Sequence, residues 1–567
     1  MLTAVRSHFA TLLSIGTCAW ALGAGGASVA QTLEDPQAHL LVQVMSTTDV
    51  HGRIYPTNYY GDKGDEPVGV ARVSTLVNGI RAKNPHTLLV DSGDCLQGTP
   101  LTYYHARLAP RALNPMVAAY NAMRFDAFAV GNHEYNYDLP YLLKARDEAR
   151  YPFVSGNIYH HGTRKPVFRP YTIKTVGGVR VGILGFTTPG VAVWDRRFVQ
   201  GKHDFGDITE ACGRWLPELQ AEGVDAVVVI IHSGLGEPYE PTFGGYSADD
   251  GLPEENVCAK LADTYPAIDA ILLGHSHKEL PKLIRNGVLL AQAKKWGERL
   301  VVVDLNFQRQ GERWKLTHKD SRSLTTEGVS PDPQVLAVAR KAHEDTVAYV
   351  NSVVGASTAV WSSARSRIED TPIMDLVNEV QRAKSGAQLS AASVFNASAH
   401  LPKGPLRVSD IAALYVYENT LTTVQLTGTQ LKEYLETSAA FFAPYKPGAP
   451  IFDDRPAYNH DMVQGVDYTI DVTRPAGDRI TRLEYLGQAV KPDQLFTMAL
   501  NSYRQNGGGA YKMLKQAPLK GVVNVEIRDL MLDWVREQKT IDPGKVFKSN
   551  WRLAPEGVIA TDGKHYR

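Results

Sequence analysis

Ala127-Phe128-Ala129-Val130-Gly131-Asn132-His133-Glu134 is the stretch on which the reading turns. Four apolar residues, short enough for a buried strand, run straight into a glycine and three side chains with donor atoms. A turn there sets the three just past the carboxyl end of a strand, where open α/β sheets keep their ligand sites. Asn132 offers a neutral carbonyl oxygen to a cation, and His133 can give up a proton. Gly-Asn is also a common turn pair, so alone the stretch fits a plain turn equally well. Its meaning comes from repetition elsewhere in the chain.

The same grammar recurs four times. His39 to Met45 reads as a strand and leads into Asp49-Val50-His51-Gly52. Residues two apart at a strand end point the same way, so a carboxylate and an imidazole converge. Thr87 to Val90 ends in Asp91-Ser92-Gly93-Asp94, where Gly93 turns Asp94 outward and Asp91 reads as structural. Ala226 to Ile231, β-branched from Val227 on as in a strand buried on both faces, ends in His232. Ala270 to Leu273 ends in Gly274-His275-Ser276-His277. Tyr151 to Val154, Val179 to Gly185, Val288 to Ala291 and Leu300 to Val303 read as further strands without such ends, and Trp296 as a packing aromatic. The donors are therefore Asp49, His51, Asp94, Asn132, His232, His275 and His277. They exceed one tetrahedral zinc and suit two cations about 3.5–4 Å apart, sharing one carboxylate.

Composition bounds the rest. The chain has 567 residues, 44% hydrophobic and 21% charged, which allows a large core. Lys+Arg and Asp+Glu are both 60, so no global charge favours polynucleotide or acidic membrane. Residues 1–30 read as a secretory signal: Arg6, an apolar run from Phe9 to Leu22, and Ser28-Val29-Ala30 as the cleavage site. No later run reaches the ~18 apolar residues of a membrane helix, so no membrane contact is expected after cleavage. Cys95, Cys212 and Cys258 remain, with Cys212–Cys258 the one pairing worth naming and Cys95 read as a buried thiol.

Ser330-Pro331-Asp332-Pro333 breaks the strand pattern. Val335, Val338, Ala342, Val347, Val350 and Val353 then follow helical spacing toward Gly355 as a C-cap. This predicts a first domain over 38–330, a linker helix over 331–355 and a second domain over 356–552. In the second, Leu431, Leu435 and Ala439 form a helix stripe, and Val466 to Val472 alternates like a strand.

Asp-x-His, Gly-Asp, Gly-Asn-His-Glu, a strand-end His and Gly-His-x-His, in this order, resemble the calcineurin-like metallophosphoesterases. The whole chain after residue 30 resembles the secreted 5'-nucleotidase family within them. The resemblance implies an α/β/β/α sandwich, the linker helix, and a mixed α+β C-terminal domain. By motif, Asp49, His51, Asp94 and His277 would hold one divalent ion and Asp94, Asn132, His232 and His275 the other. Zinc, manganese and cobalt all suit this donor set. His133 would donate a proton to the leaving oxygen, and Glu134 would support the loop. Where the 5'-nucleotidases pair that histidine with an Asp three residues on, this chain has Asn136, which cannot raise the imidazole pKa as a carboxylate would.

Tyr59-Tyr60, Gly131 to Tyr137, His232 to Leu235, Leu414 to Leu421 and Asn501 to Gly509 look like the 2',3'-cyclic-nucleotide 2'-phosphodiesterase/3'-nucleotidase branch. The Asn-Gly-Gly-Gly-Ile-Arg usual in 5'-nucleotidases has only Ala391 to Asn396 near its place. The branch implies Tyr417 and Tyr503 stacking on the base, with Asn419 as a polar contact. The expectation is a periplasmic, monomeric hydrolase of small nucleotides. It opens 2',3'-cyclic nucleotides to 3'-nucleotides and removes the 3'-phosphate. The alternatives are a 5'-nucleotidase or nucleotide-sugar hydrolase, and a non-enzymatic nucleotide-capture protein.

Overall fold

The computed structural model describes residues 39–558 except 61–63, 243–245, 247, 249–250, 418, 447–450 and 453–455. The expected signal, residues 1–30, lies outside the described residues. Among the described residues the first half carries fourteen strands: β1 (His39–Thr47), β2 (Thr87–Asp91), β3 (Ala127–Ala129), β4 (Phe153–Val154), β5 (Ile158–His160), β6 (Tyr171–Val176), β7 (Val179–Thr187), β8 (His203–Phe205), β9 (Ala226–His232), β10 (Ala270–Leu273), β11 (Glu279–Arg285), β12 (Val288–Ala293), β13 (Arg299–Gln310) and β14 (Arg313–Thr325). Twelve of them form two six-stranded sheets, ordered β14-β13-β1-β2-β3-β4 and β11-β12-β10-β9-β7-β6.

Side-chain alternation explains why there are two sheets. Val228 and Ile230 of β9 face a core shared with Val42, Val44, Leu88 and Val90 of β1 and β2. Their neighbours Val227, Val229 and Ile231 face the opposite way, onto helices Ile208–Ala221 and Cys258–Thr264. Met45 and Leu89 face outward from the first sheet, onto helices Val70–Lys83, Pro115–Met123 and Leu139–Glu148. The continuous apolar runs are thus strands covered on both faces, each fully buried Val or Ile contributing about 1.5–3 kcal/mol. The layers are helix, sheet, sheet, helix. The parallel strands β1, β2 and β3 of one sheet and β9 and β10 of the other turn their carboxyl ends to one rim.

The stretch expected as one linker helix is instead two, Pro333–Val338 and Arg340–Val350. Val353–Ser357 is a strand, paired with Gly404–Arg407 and Thr540–Ile541. Gly355 is not a C-cap but a close-approach residue: a Cβ there would lie 2.8 Å from Val535 and 3.0 Å from the Lys539 carbonyl. Val335, Ala339 and Ala342 enter the first domain's core, and His343 stacks on Tyr55 at 3.9 Å.

The second domain is mixed α+β. A five-stranded sheet, in the order Asp461–Gln464, Leu389–Ser393, Leu495–Asn501, Thr420–Thr427, Leu519–Glu526, shares one core with helices Pro372–Ser385, Gly428–Ala439 and Ile527–Gln538. The two halves meet where Arg107 bonds Glu526 (2.9 and 2.5 Å) and the Tyr103 hydroxyl bonds Asp529, with Arg528 4.3 Å above the Tyr103 ring. Among the described residues no helix is long and apolar enough to cross a membrane. Cys95, Cys212 and Cys258 are buried free thiols, so the Cys212–Cys258 pairing is not formed.

Candidate active site

Every donor read from the sequence leaves one rim. The loops after β1 and β2 run side by side: the N–H of Asp49, His51 and Gly52 donate to the carbonyls of Gly93, Asp94 and Cys95 (2.9, 2.8 and 3.0 Å). Gly93 and Gly274 allow this crowding, since a Cβ on either would come within 3.0 Å of His232 Nδ1. Glu134 ties the β2 and β3 ends together. Its Oε2 accepts from the N–H of Asp94 and Gly131 (2.8 and 2.7 Å), its Oε1 from those of Cys95 and Leu96 (2.7 and 3.1 Å). Asp91 accepts from Thr47, Tyr120 and Gly93 (2.6, 2.8 and 2.8 Å) and is structural, as read.

Ligand-capable atoms of Asp49, Asp94 and His232 lie within 4.8 Å of one another, as do those of Asp49, His51 and His277, and of His51, Asp94 and His133. His232 Nε2 is 2.9 Å from Asp94 Oδ2, His277 Nε2 is 3.3 Å from Asp49 Oδ1, and the Nε2 atoms of His51 and His277 are 3.0 Å apart. His275 joins through its N–H, 3.2 and 3.1 Å from the two Asp49 oxygens, and through its ring, 5.1 Å from that of His232. Asn132 Oδ1 is buried with no hydrogen-bond partner. An orphaned carbonyl oxygen, two buried carboxylates and facing imidazole nitrogens fit hard or borderline divalent cations, and the Asn132 oxygen otherwise pays for desolvation unpaired. Asp49, His51, Asp94, His275 and His277 all have φ between 50° and 75°, a left-handed backbone uncommon for residues with a Cβ. Such concentrated strain is a feature of functional sites.

The electrostatics follow from this packing. Burial pushes the Asp94 carboxyl up, but His232 and His133 outweigh it and hold it well below the carboxylate range. Burial, then the neighbouring His133 and His277, drives His51 down to about 3. His232 goes the other way, up to about 10, because Asp94 and Asp49 outweigh its burial. His133 is also raised: burial opposes, but Asp94, the Asn136 carbonyl and Asp195 prevail. Asn136, expected not to raise this imidazole as a carboxylate would, adds to the rise through its carbonyl, and a carboxylate stands behind it. His133 Nδ1 meets Asn136 Oδ1 at 2.6 Å, and Asn136 Nδ2 in turn donates to both oxygens of buried Asp195 (3.1 and 3.0 Å).

Asp195 carries no sequence signal, lying in Trp194-Asp195-Arg196 away from any strand end. Glu255 is equally silent, yet its Oε1 is 2.7 Å from His275 Nε2 and steadies that ring. Trp296 does more than pack: its N–H donates to the Asp49 carbonyl at 2.8 Å, with Arg53 4.2 Å and Lys295 4.1 Å from its ring.

The expected base-stacking residues belong to the other domain. Tyr417 is 38% exposed and packs edge-on against Phe395 at 4.9 Å. Tyr503 lies on Gly508, where a Cβ would come within 2.5 Å of the ring, so a glycine is required there. Buried Arg504 holds this turn, bonding Asp461 (2.8 and 2.9 Å) and the Gly508 carbonyl (3.1 Å). Asn419 is half-buried, its carbonyl accepting from Ile527 at 2.9 Å. Burial first, then nearby Tyr458, raises the Tyr503 phenol, and Glu255 of the first domain adds to the rise.

Two sheets delivering carboxylates, imidazoles and an amide to one rim define a metallophosphoesterase, a hydrolase that uses divalent metal. Residues 42–279 match the calcineurin-like phosphoesterase family, and residues 353–516 the 5'-nucleotidase C-terminal domain. The 2',3'-cyclic-nucleotide 2'-phosphodiesterase/3'-nucleotidase of Haemophilus influenzae is 30% identical, over 97% of this chain and 92% of that protein. The trifunctional nucleotide phosphoesterase protein of Bacillus subtilis is 30% identical over 92% of this chain, which spans only 39% of that longer protein. The crystal structure of a 5'-nucleotidase precursor from Thermus thermophilus, 23% identical, superposes with a TM-score of 0.64 over 91% of this chain and 99% of its own. The chain belongs to the 5'-nucleotidase family of two-domain calcineurin-like phosphoesterases, on the branch of the Haemophilus enzyme.

Proposed function

We propose that the protein opens 2',3'-cyclic nucleotides to 3'-nucleotides and then removes the 3'-phosphate, leaving nucleoside and phosphate. What supports this reading is the donor rim itself, where atoms of Asp49, Asp94 and His232 and of Asp49, His51 and His277 gather within 4.8 Å, with Glu255 bonding His275 on that rim at 2.7 Å and adding to the raised phenols of Tyr458 and Tyr503 in the second domain. On this reading phosphate chemistry and base stacking share one cleft. Asp49, His51, Asp94 and His277 would hold one cation and Asp94, Asn132, His232 and His275 a second, zinc, manganese or cobalt. Such ions neutralise phosphate charge and make water nucleophilic near neutral pH.

The chain's own residues do the rest. Tyr417 and Tyr503 hold the base between them, stacking worth about 1–3 kcal/mol that tolerates any base. His133, whose Nε2 is 3.9 Å from Asp94 Oδ2, would face the reacting phosphate. As the oxygen of water bonds to phosphorus and sheds one proton, the P–O2' bond breaks, the 2' oxygen takes the Nε2 proton, and the proton shed by the water restores the ring. The second hydrolysis repeats this at the 3' oxygen. A cyclic diester has one negative charge fewer than a monoester, consistent with a chain lacking the Asn-Gly-Gly-Gly-Ile-Arg segment. Residues 1–30 would direct the chain across the inner membrane, to act as a periplasmic monomer in nucleotide scavenging.

Phosphate release from 2',3'-cyclic AMP, 3'-AMP, 5'-AMP and a nucleotide sugar, each with zinc, manganese or cobalt, tests the reading. Turnover of the first two is expected to dominate. Preference for 5'-AMP would overturn the substrate assignment, and release from none would leave a capture protein.

A further inference from the structure

Asp195 lies at the start of the short helix Arg196–Val199, 5% exposed, with its backbone fixed by bonds from its N–H to Val191 and from Phe198 and Val199 to its carbonyl. Among the described residues its side chain bonds only Asn136, with both oxygens on one amide nitrogen at 3.1 and 3.0 Å. A buried carboxylate whose hydrogen-bond partner is a neutral amide is expensive, offset here by the nearby His133 and Arg197.

We propose that Asp195 is a positioning residue for His133, acting through the Asn136 amide; this rests on the reading of His133 as the proton donor. The argument is one of donor and acceptor sense. A carboxylate only accepts, so Asn136 must turn its –NH2 toward Asp195. That leaves Oδ1, also only an acceptor, 2.6 Å from His133 Nδ1, which must therefore carry hydrogen. The ring is thereby held with Nε2 toward Asp94 and the rim, 3.9 Å from Oδ2. With the amide reversed, an N–H would face Nδ1, and the ring could no longer carry hydrogen on both nitrogens, the form that donates from Nε2. Asp195 prevents that reversal from a place where it touches no substrate. The arrangement follows the logic of an imidazole oriented by a carboxylate, with an amide inserted between them.

The test uses leaving groups of different basicity. A nucleoside oxygen needs a proton as it leaves, whereas p-nitrophenolate does not. For Asp195→Ala, kcat on 3'-AMP and 2',3'-cyclic AMP is expected to fall about 10–100-fold, the usual scale for an outer-shell partner, with KM within about threefold. Turnover of bis(p-nitrophenyl) phosphate, bound metal content and melting temperature are expected to stay near those of the unaltered protein. Asp195→Asn, of the same shape, is the companion should the alanine variant fold poorly. Asn136→Asp would place two carboxylates against each other and is expected to be impaired. Asn136→Asp with Asp195→Asn restores an acceptor toward Nδ1 and a donor behind it, and is expected to recover most of the rate.

Equal loss on both kinds of substrate, no loss, or a double variant no better than the single would overturn the assignment. His133→Ala separates the two readings. If it shows the leaving-group dependence and Asp195→Ala does not, the positioning role fails and the proton donor stands. If His133→Ala shows none, the proton-donor reading itself fails.

Discussion

Glu134→Gln is the sharpest probe of how the rim is held. The carboxylate accepts four backbone N–H bonds of 2.7–3.1 Å, from Gly131, Asp94, Cys95 and Leu96, and is 1% exposed. Glutamine keeps one oxygen and so serves two of these donors. Its –NH2 faces the other two N–H groups and leaves both unpaired. At about 1–3 kcal/mol for each orphaned buried donor, the loss is roughly 2–6 kcal/mol. Glu134→Ala orphans all four, for roughly 4–12 kcal/mol, comparable to the roughly 5–15 kcal/mol that holds a whole domain folded. The cost falls on the loops that carry Asp94 and Asn132, so hydrogen exchange by mass spectrometry of the peptides spanning 91–97 and 131–136 is the direct assay. Faster exchange confined to those peptides is expected, with reduced bound metal and activity. Exchange altered by less than about 0.5 kcal/mol, with full activity, would refute the claim that Glu134 organises the rim.

Gly131→Ala places a methyl 2.2 Å from Asp94 Oδ1 and 2.7 Å from its N–H nitrogen. Overpacking of this kind costs about 1–3 kcal/mol, and metal content and activity are expected to fall together in metal titration. Tyr503→Ala or Tyr417→Ala is expected to raise KM for 2',3'-cyclic AMP and 2',3'-cyclic UMP alike by about 5–150-fold, the equivalent of 1–3 kcal/mol of stacking, with Phe retaining function. Unchanged KM in steady-state kinetics would remove them from the base site. His460, 1% exposed beside Phe441 and Phe442, is driven down to about 4 by burial. Its folded pKa lies below the unfolded value, so the unfolded chain takes up the proton first and stability is lost as pH falls from about 6.5 to 4. That window amounts to about 3 kcal/mol, and melting temperatures of His460→Phe should show a correspondingly weaker acid dependence than the unaltered chain.

The rim was legible because its chemistry is local. Each strand is a short apolar run, and each donor follows one within a few residues, so the sequence alone brings Asp49, Asp94, His232 and His277 to one rim. Asn132 could be read only with its neighbours, and its oxygen is buried without a hydrogen-bond partner. Asp195 and Glu255 were invisible for the opposite reason. Each reaches the site through a tertiary contact, 59 residues from Asn136 and 20 from His275, with nothing in its own neighbourhood to mark it. The linker failed as a single helix because valine spacing persists past Val350, where strand pairing with Gly404–Arg407 outweighs helical periodicity.

The left-handed backbone at Asp49, His51, Asp94, His275 and His277 bears on how this enzyme can be altered. Asp, Asn and His are the residues with a Cβ that enter that region most readily. The residue types coordination chemistry demands are thus also those the chain path tolerates, and neither requirement had to yield to the other. Asn at 49 or 94 would keep the main-chain trajectory while deleting charge, whereas a β-branched residue would break both at once. Neutral amides are therefore the substitutions that can separate ion capture from chain architecture.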